Sequence, residues 1–198
     1  MSLNRFIESK ELRSMGIKCG KNCKVHATVI ISHPKKIILG NNIRIDAYTV
    51  IINPKKIKIC NYIHVGAHVL LYANRDEIIL RDYCGVSAGV KIFTSTDDYS
   101  GKDFYGPFNK KSKKSNKVKK IEIKKFCILG TNSVVTPGAI FSTGAVVGAL
   151  SFVNSKLEPW HVYYGMPLRK LSKRKKDFYK LSGKKYLNKK NFPYSKNI

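Results

Sequence analysis

Residues 127–141 read Cys127-Ile-Leu-Gly-Thr-Asn-Ser-Val-Val-Thr-Pro-Gly-Ala-Ile-Phe141, and in this stretch Leu129, Val135 and Phe141 stand six apart. Val147 and Val153 continue the count. Upstream the same spacing joins Ile17, Cys23 and Val29, then Leu39, Ile45 and Ile51, then Ile59, Val65 and Leu71, then Leu80, Val86 and Ile92, and it restarts at Ile123. A second apolar or small residue often sits two positions earlier, as at Ile37, Ile43, Ile63, Ile78, Cys84, Cys127, Ala139 and Ala145. An amphipathic helix would repeat at about 3.6 residues and a half-buried strand at about 2. A period of six fits neither. It predicts short flat strands joined by corners and stacked as a repeat. Gly40, Gly66, Gly85, Gly89, Gly130, Gly138, Gly144 and Gly148 recur near the corners, where a residue that tolerates a tight or left-handed turn is needed.

The hexads cover residues 17–170 with one interruption at 93–120. Ahead of them, residues 1–16 carry Leu3, Phe6, Ile7 and Leu12 at near-helical spacing, which predicts a helix capping the first coil. Residues 171–198 are Lys-rich with scattered Leu, Phe and Tyr, and they read as a basic helix and tail. A loop as long as 93–120 inside a compact domain points to function. Its front half holds aromatics and carboxylates and its second half a lysine run over 110–120.

The chain has 198 residues, 43% of them hydrophobic, enough for one domain with a packed core. No apolar run approaches a signal sequence or the ~20 residues of a membrane span, so a cytoplasmic protein is expected. Five cysteines with no C-x-x-C pair imply neither a disulfide frame nor a zinc knuckle, but small buried apolar residues. The net charge of +26 raises the case for a non-catalytic basic module binding nucleic acid or an anionic membrane. No helix-turn-helix, zinc-finger or RNA-binding signature accompanies the charge, so nucleic acid is not expected as a partner. A polyanionic cofactor or a nucleotide substrate would also favour a positive rim.

The stretches Leu39-Gly-Asn-Asn-Ile-Arg-Ile, Cys127-Ile-Leu-Gly-Thr-Asn-Ser-Val-Val and Gly144-Ala-Val-Val-Gly-Ala resemble the hexapeptide repeat of bacterial sugar acyltransferases. The resemblance implies a mainly all-β fold, a left-handed parallel β-helix with its apolar hexad residues pointing inward. It also implies a coenzyme A thioester as acyl donor, no metal, and a homotrimer with active sites between subunits, the inserted loop closing each site. The segment Gly148-Ala-Leu-Ser-Phe-Val-Asn-Ser-Lys-Leu-Glu-Pro-Trp-His-Val-Tyr-Tyr-Gly-Met-Pro-Leu-Arg-Lys is similar to the closing segment of those enzymes. By that resemblance Gly130, Gly148, Ala149 and Pro167 lie beside coenzyme A, and Arg169 and Lys170, with Lys173 or Arg174, face its phosphates. Leu168 stands where the family has a smaller residue.

Many members of that family place a histidine at the start of the inserted loop as general base for a sugar hydroxyl. This chain has Thr94-Ser-Thr-Asp-Asp-Tyr-Ser-Gly there. A hydroxyl profits from a base poised near neutrality, as histidine is. An amine titrating at about 7.7 to 8.0 is already partly neutral and nucleophilic. Aspartate in place of histidine therefore suits an amino sugar, and the run resembles the branch that N-acylates nucleotide-linked 4-amino-4,6-dideoxy sugars. Asp97 is the expected catalytic group, orienting the amine and taking up its proton, with Ser87 as a second group beside the acceptor. Asp98, Tyr99 and His64 are expected substrate contacts. The alternative within the class is O-acetylation of a sugar hydroxyl, which would call on His64 or His68. The pair His64-x-x-x-His68 also evokes the zinc sites of carbonic anhydrases built on such coils, which need three converging imidazoles.

Overall fold

A strand of three residues cannot bury its apolar side chains alone, so each coil depends on the next. A computed structural model describes residues 5–97, 99–100 and 117–177. They form a left-handed β-solenoid of about six turns, in which each coil gives one short strand to each of three sheets. Cys23, Ile43 and Ile63 lie in register on the first face. Val50, Leu70 and Lys91 do so on the second, and Ile37, Ile57 and Ile78 on the third. The six-residue series points inward as expected: from Leu39 to Val153 each member is at most 3% exposed, and Val29 alone of the series is half-buried. Burying each such aliphatic contributes roughly 1.5–3 kcal/mol.

Strict hexads hold only in the later coils, where Ile128 pairs with Val146 and Val134 with Phe152, 18 positions on. Earlier coils are longer: Ile43 pairs with Ile63, 20 positions on, and Ile57 with Ile78, 21 positions on. The surplus falls on the edge between the second and third faces. Here buried Asn53 donates from Nδ2 to the His33 carbonyl at 2.9 Å and accepts the His33 amide on Oδ1 at 3.1 Å. The inserted loop leaves from this same edge, and its two ends pair as antiparallel strands Ser95–Thr96 and Lys117–Val118.

The other two edges carry a residue the sequence reading did not anticipate at its corners. Between the third and first faces Tyr62, Tyr83, Phe126 and Trp160 all have φ near +60°, a conformation that costs a bulky residue about 1–2 kcal/mol. Their rings stack along the edge at centroid distances of 4.9, 5.3 and 6.1 Å, and stacking of this kind offsets the backbone cost. Between the first and second faces Tyr48 and His68 stack likewise at 5.1 Å.

Both ends differ from expectation. Of the helix predicted over 1–16, the described residues show Ser9–Ser14 as helix, and Phe6–Glu8 instead pairs antiparallel with Cys23–His26, residues 1–4 lying outside the described residues. Leu12, fully buried, closes the core beneath the first coil. The basic helix predicted from 171 is also corrected in its described part: Arg169–Lys173 is a strand antiparallel to His161–Tyr164, and residues 178–198 lie outside the described residues. The physical reason is shared. An open sheet edge presents unpaired amides and carbonyls, and pairing with it outweighs weak helical periodicity. Arg174 then locks the end, its Nη1 donating to the carbonyls of Phe126 and Gly144 at 2.5 and 3.1 Å and its guanidinium lying over the Trp160 ring.

Gly144 has φ +74°, and a Cβ there would lie 2.4 Å from the Trp160 ring. Gly144→Ala is expected to cost at least about 1 kcal/mol from the backbone alone, with more from the clash. Thermal unfolding should show a midpoint several degrees lower, and an unchanged midpoint would contradict the packing described.

Candidate active site

The insertion edge and the glycine-lined edge between the first and second faces hold the expected site residues, and they hold them apart. Asp97 and Tyr99 follow the strand Ser95–Thr96 and are exposed, Tyr99 at 87%. They line a groove of about 440 Å3 with Tyr72, Asn74, Arg75, Phe93, Ser95, Thr96, Val134, Thr136 and Phe152. Tyr72 and Phe93 meet at 5.8 Å with rings tilted by 55°. The groove is thus aromatic on one wall and polar on the other, with one carboxylate in Asp97. Asp98 lies outside the described residues. The sequence reading missed Tyr72, Arg75, Phe93 and Phe152. The signal was there for three of them, since they are aromatic residues at outward positions of half-buried strands.

Ser87 sits on the other edge, at the corner after Gly85–Val86, with the strand Lys91–Phe93 between it and Asp97. Along its edge the backbone forms a continuous row. The amides of Asp46, Gly66, Ser87, Gly130 and Gly148 donate to Val65, Val86, Leu129, Val147 and Tyr163 of the next coil at 2.7–3.0 Å. Gly130 and Gly148 therefore use their own amides inside the solenoid. Their missing side chains matter instead for close approach: a Cβ on Gly130 would lie 2.5 Å from the amide nitrogen of Ala149. Ala149 is exposed on the outside of this corner. Gly165, with φ +96°, turns the chain at the top of the same edge, followed by the Met166–Pro167 cis peptide bond.

The two bases differ. Arg169 is exposed, paired across the ladder with Tyr164. Lys170 holds Glu158, Nζ to Oε1 at 2.7 Å, and this bond keeps the Glu158 carboxyl below and the Lys170 ammonium above their ordinary pKa values. Arg174 is engaged at Trp160 as described above, whereas Arg169 and Lys173 are exposed.

No family profile matches the chain. It is 30% identical over 117 residues to the dTDP-4-amino-4,6-dideoxy-D-glucose acyltransferase of Escherichia coli, a match covering 58% of this chain and 61% of that enzyme's length. A substituted form of AntD, an N-acyltransferase from Bacillus cereus solved with dTDP and coenzyme A, superposes with a TM-score of 0.85 at 31% identity, covering 91% of this chain and 97% of AntD. The chain belongs to the hexapeptide-repeat sugar N-acyltransferases. A hexapeptide-repeat acetyltransferase from Vibrio cholerae, 21% identical with a TM-score of 0.51 over 85% of this chain and 82% of that one, shares the fold.

Within this member of the N-acyltransferase family, the two histidines of His64-x-x-x-His68 serve different neighbours. His68 stacks on Tyr48. His64 stands outward on the first face with Nε2 2.6 Å from Asp46 Oδ2, while Arg44 Nε lies 2.7 Å from Oδ1. Among the described residues no three His, Cys, Asp or Glu side chains converge as metal ligands. Burial works against the charge of Asp46, but the bonds from Arg44 and His64 outweigh it and hold the carboxyl below its ordinary pKa. A lowered folded-state pKa stabilises the fold above the unfolded value, and that contribution is lost as pH falls through the folded one. Asp46→Asn should therefore unfold more readily than the parent at pH 7. In thermal melts the gap should close as the pH drops below the ordinary carboxylate range, and a gap independent of pH would contradict the pairing.

Proposed function

We propose that this chain transfers an acyl group, acetyl in the first instance, from coenzyme A to the amino group of a nucleotide-linked 4-amino-4,6-dideoxy sugar. The observation that carries the reading is Asp97, a carboxylate where other hexapeptide acyltransferases place histidine, standing in a groove with aromatic side chains able to hold a base or sugar. The relatives point the same way. A serine-substituted form of AntD has been solved with dTDP-4-amino-4,6-dideoxyglucose and coenzyme A, and AntD itself with dTDP and 3-hydroxybutyryl-CoA. Its solved forms include substitutions at one aspartate and one serine, the residue types of Asp97 and Ser87.

In the reaction proposed, the neutral amine attacks the thioester carbonyl, the C–N bond forms and the C–S bond breaks. The amine proton passes to Asp97, directly or through water, and from there to the departing sulfur. No covalent acyl-enzyme is required once both substrates are held together. Ser87 supplies a hydroxyl beside the acceptor, with Asp98, Tyr99 and His64 as further substrate contacts. The edge of Gly130, Gly148, Ala149 and Pro167 takes the pantetheine arm, with Arg169 and Lys170 near the phosphates. A hydroxyl acceptor is the second reading, favoured by the imidazole that Asp46 orients at His64.

Because the second face separates Ser87 from Asp97, a site that uses both draws them from two copies of the chain. The outward row of that face, Ile30, Val50, Leu70, Val134 and Phe152 broken only by Lys91, is apolar, with Ile30 60% exposed. Such a face suits burial against a second copy, and the family likeness makes the closed assembly a homotrimer. No helix among the described residues is long and apolar enough to cross a membrane. Cytoplasmic action on sugar nucleotides, upstream of lipopolysaccharide O-antigen or other surface polysaccharide assembly, follows from the substrates.

Acyl-CoA and a panel of amino and hydroxy sugar nucleotides, followed by release of free thiol, test the reading, with turnover expected on the 4-amino acceptors. Turnover confined to hydroxyl acceptors would overturn it. Asp97→Asn should lower kcat at least about 100-fold with assembly intact, and near-normal activity would remove Asp97 from the role. Sedimentation equilibrium should return about three times the chain mass of 22.4 kDa.

A further inference from the structure

On the outside of the first face, Arg44, His64, Gly85, Ile128 and Val146 follow one another in register. Gly85 interrupts this row for no reason found among the described residues. At Gly66 and Gly130 a Cβ would lie 2.7 and 2.5 Å from backbone atoms of the next coil. At Gly144 the backbone itself is left-handed. Gly85 has neither excuse: its φ is outside the left-handed region, and a Cβ there would meet only the Ile128 side chain at 3.9–4.0 Å, ordinary contact. Glycine weakens a strand, and inside one it marks a bulge or the close approach of a ligand or another backbone. Gly85 pairs in register with His64 on one side and Ile128 on the other, so there is no bulge. The close approach of a group from beyond the described residues accounts for it.

The surroundings indicate its chemistry. His64 forms one wall, and the contact of its Nε2 with Asp46 Oδ2 at 2.6 Å fixes the ring, so that Nδ1 is the nitrogen left to meet a ligand. Arg44 holds the other oxygen of Asp46. Strand alternation puts residue 87 on the same side as residue 85, so the Ser87 hydroxyl follows along the rim. Bare backbone edged by an oriented imidazole and a hydroxyl suits a hydroxyl-rich ring.

We propose that Gly85 is the floor of the acceptor subsite, and that its missing methyl lets the sugar ring of the nucleotide-linked substrate lie against the strand with a hydroxyl on His64 Nδ1. The proposal rests on the acyl-transfer reading above and names the residue that sets which ring can enter. Because a Cβ fits within the chain, the test variant separates binding from folding. Gly85→Ala should melt at or above the parent temperature and keep its oligomeric mass and its affinity for coenzyme A. Its affinity for dTDP-4-amino-4,6-dideoxyglucose, read by calorimetry, should fall at least about tenfold, the scale of one misplaced methyl group. Unchanged affinity for the sugar nucleotide overturns the proposal. So does weaker binding of coenzyme A, which would give the dent to the cofactor, and so does loss of the assembly, which would give it to a second copy. A parent chain that binds the sugar nucleotide yet transfers no acyl group sinks the acyl-transfer reading alone, and the affinity ratio still decides the floor. A parent that does not bind it overturns both.

Discussion

Coil-to-coil hydrogen bonding between backbones in register is the constraint on which the rest of this molecule depends. Each strand is two to four residues long in the solenoid body, too short to persist without the strand before and after it. The inward aliphatics supply the free energy, and the ladder dictates where each may stand. A one-residue slip on any face would turn Leu71 or Ile92 outward and an exposed neighbour inward. Corners therefore must close at fixed places, and the chain meets that demand even with residues ill suited to it. Tyr62, Tyr83, Phe126 and Trp160 accept a left-handed backbone because each coil sets one ring on the next.

The same constraint makes the ends costly and explains their form. A solenoid stops with an open sheet edge and an uncovered core. Phe6–Glu8 and Arg169–Lys173 pair antiparallel with the two ends of the first face, while Leu12 and the Arg174 clasp cover what lies beneath. The interior is inert as well as packed. Cys23, Cys84 and Cys127 are free thiols in it. The hydrogen bond with Cys127, joined by burial, pushes the Cys84 thiol far above its ordinary pKa, so it holds a proton rather than acting as a nucleophile.

With the core devoted to winding, chemistry is left to the edges, and each edge has its own character. The glycine-lined edge brings successive coils so close that a Cβ at Gly66 or Gly130 would strike the next backbone. The insertion edge carries surplus residues in every early coil, and the long loop is the largest of these. Its paired base sets Asp97 over the aromatics of the second face. The first face between its edges is charged in the early coils and apolar in the later ones, and Gly85 marks the change.

Much of this is written in the order of residues. A six-residue beat over 17–153 calls for short strands joined by corners and stacked as a repeat, and the family likeness implies that the coil has three sides. The family likeness and the aspartate in place of histidine are equally local, being short contiguous strings. What the linear chain could not reveal are properties of neighbours 18 to 21 positions apart. Helical spacing in residues 1–16 gave way to strand pairing because the sheet edge offered hydrogen bonds that periodicity does not register. Lys170 and Arg174 looked like free bases until the fold set Glu158 and the Trp160 corner beside them. Ser87 and Asp97, ten positions apart, seemed natural partners, yet the prism puts a whole face between them. Corner geometry, ion pairing and the placing of Ser87 and Asp97 on different edges arise only when one coil is laid upon another.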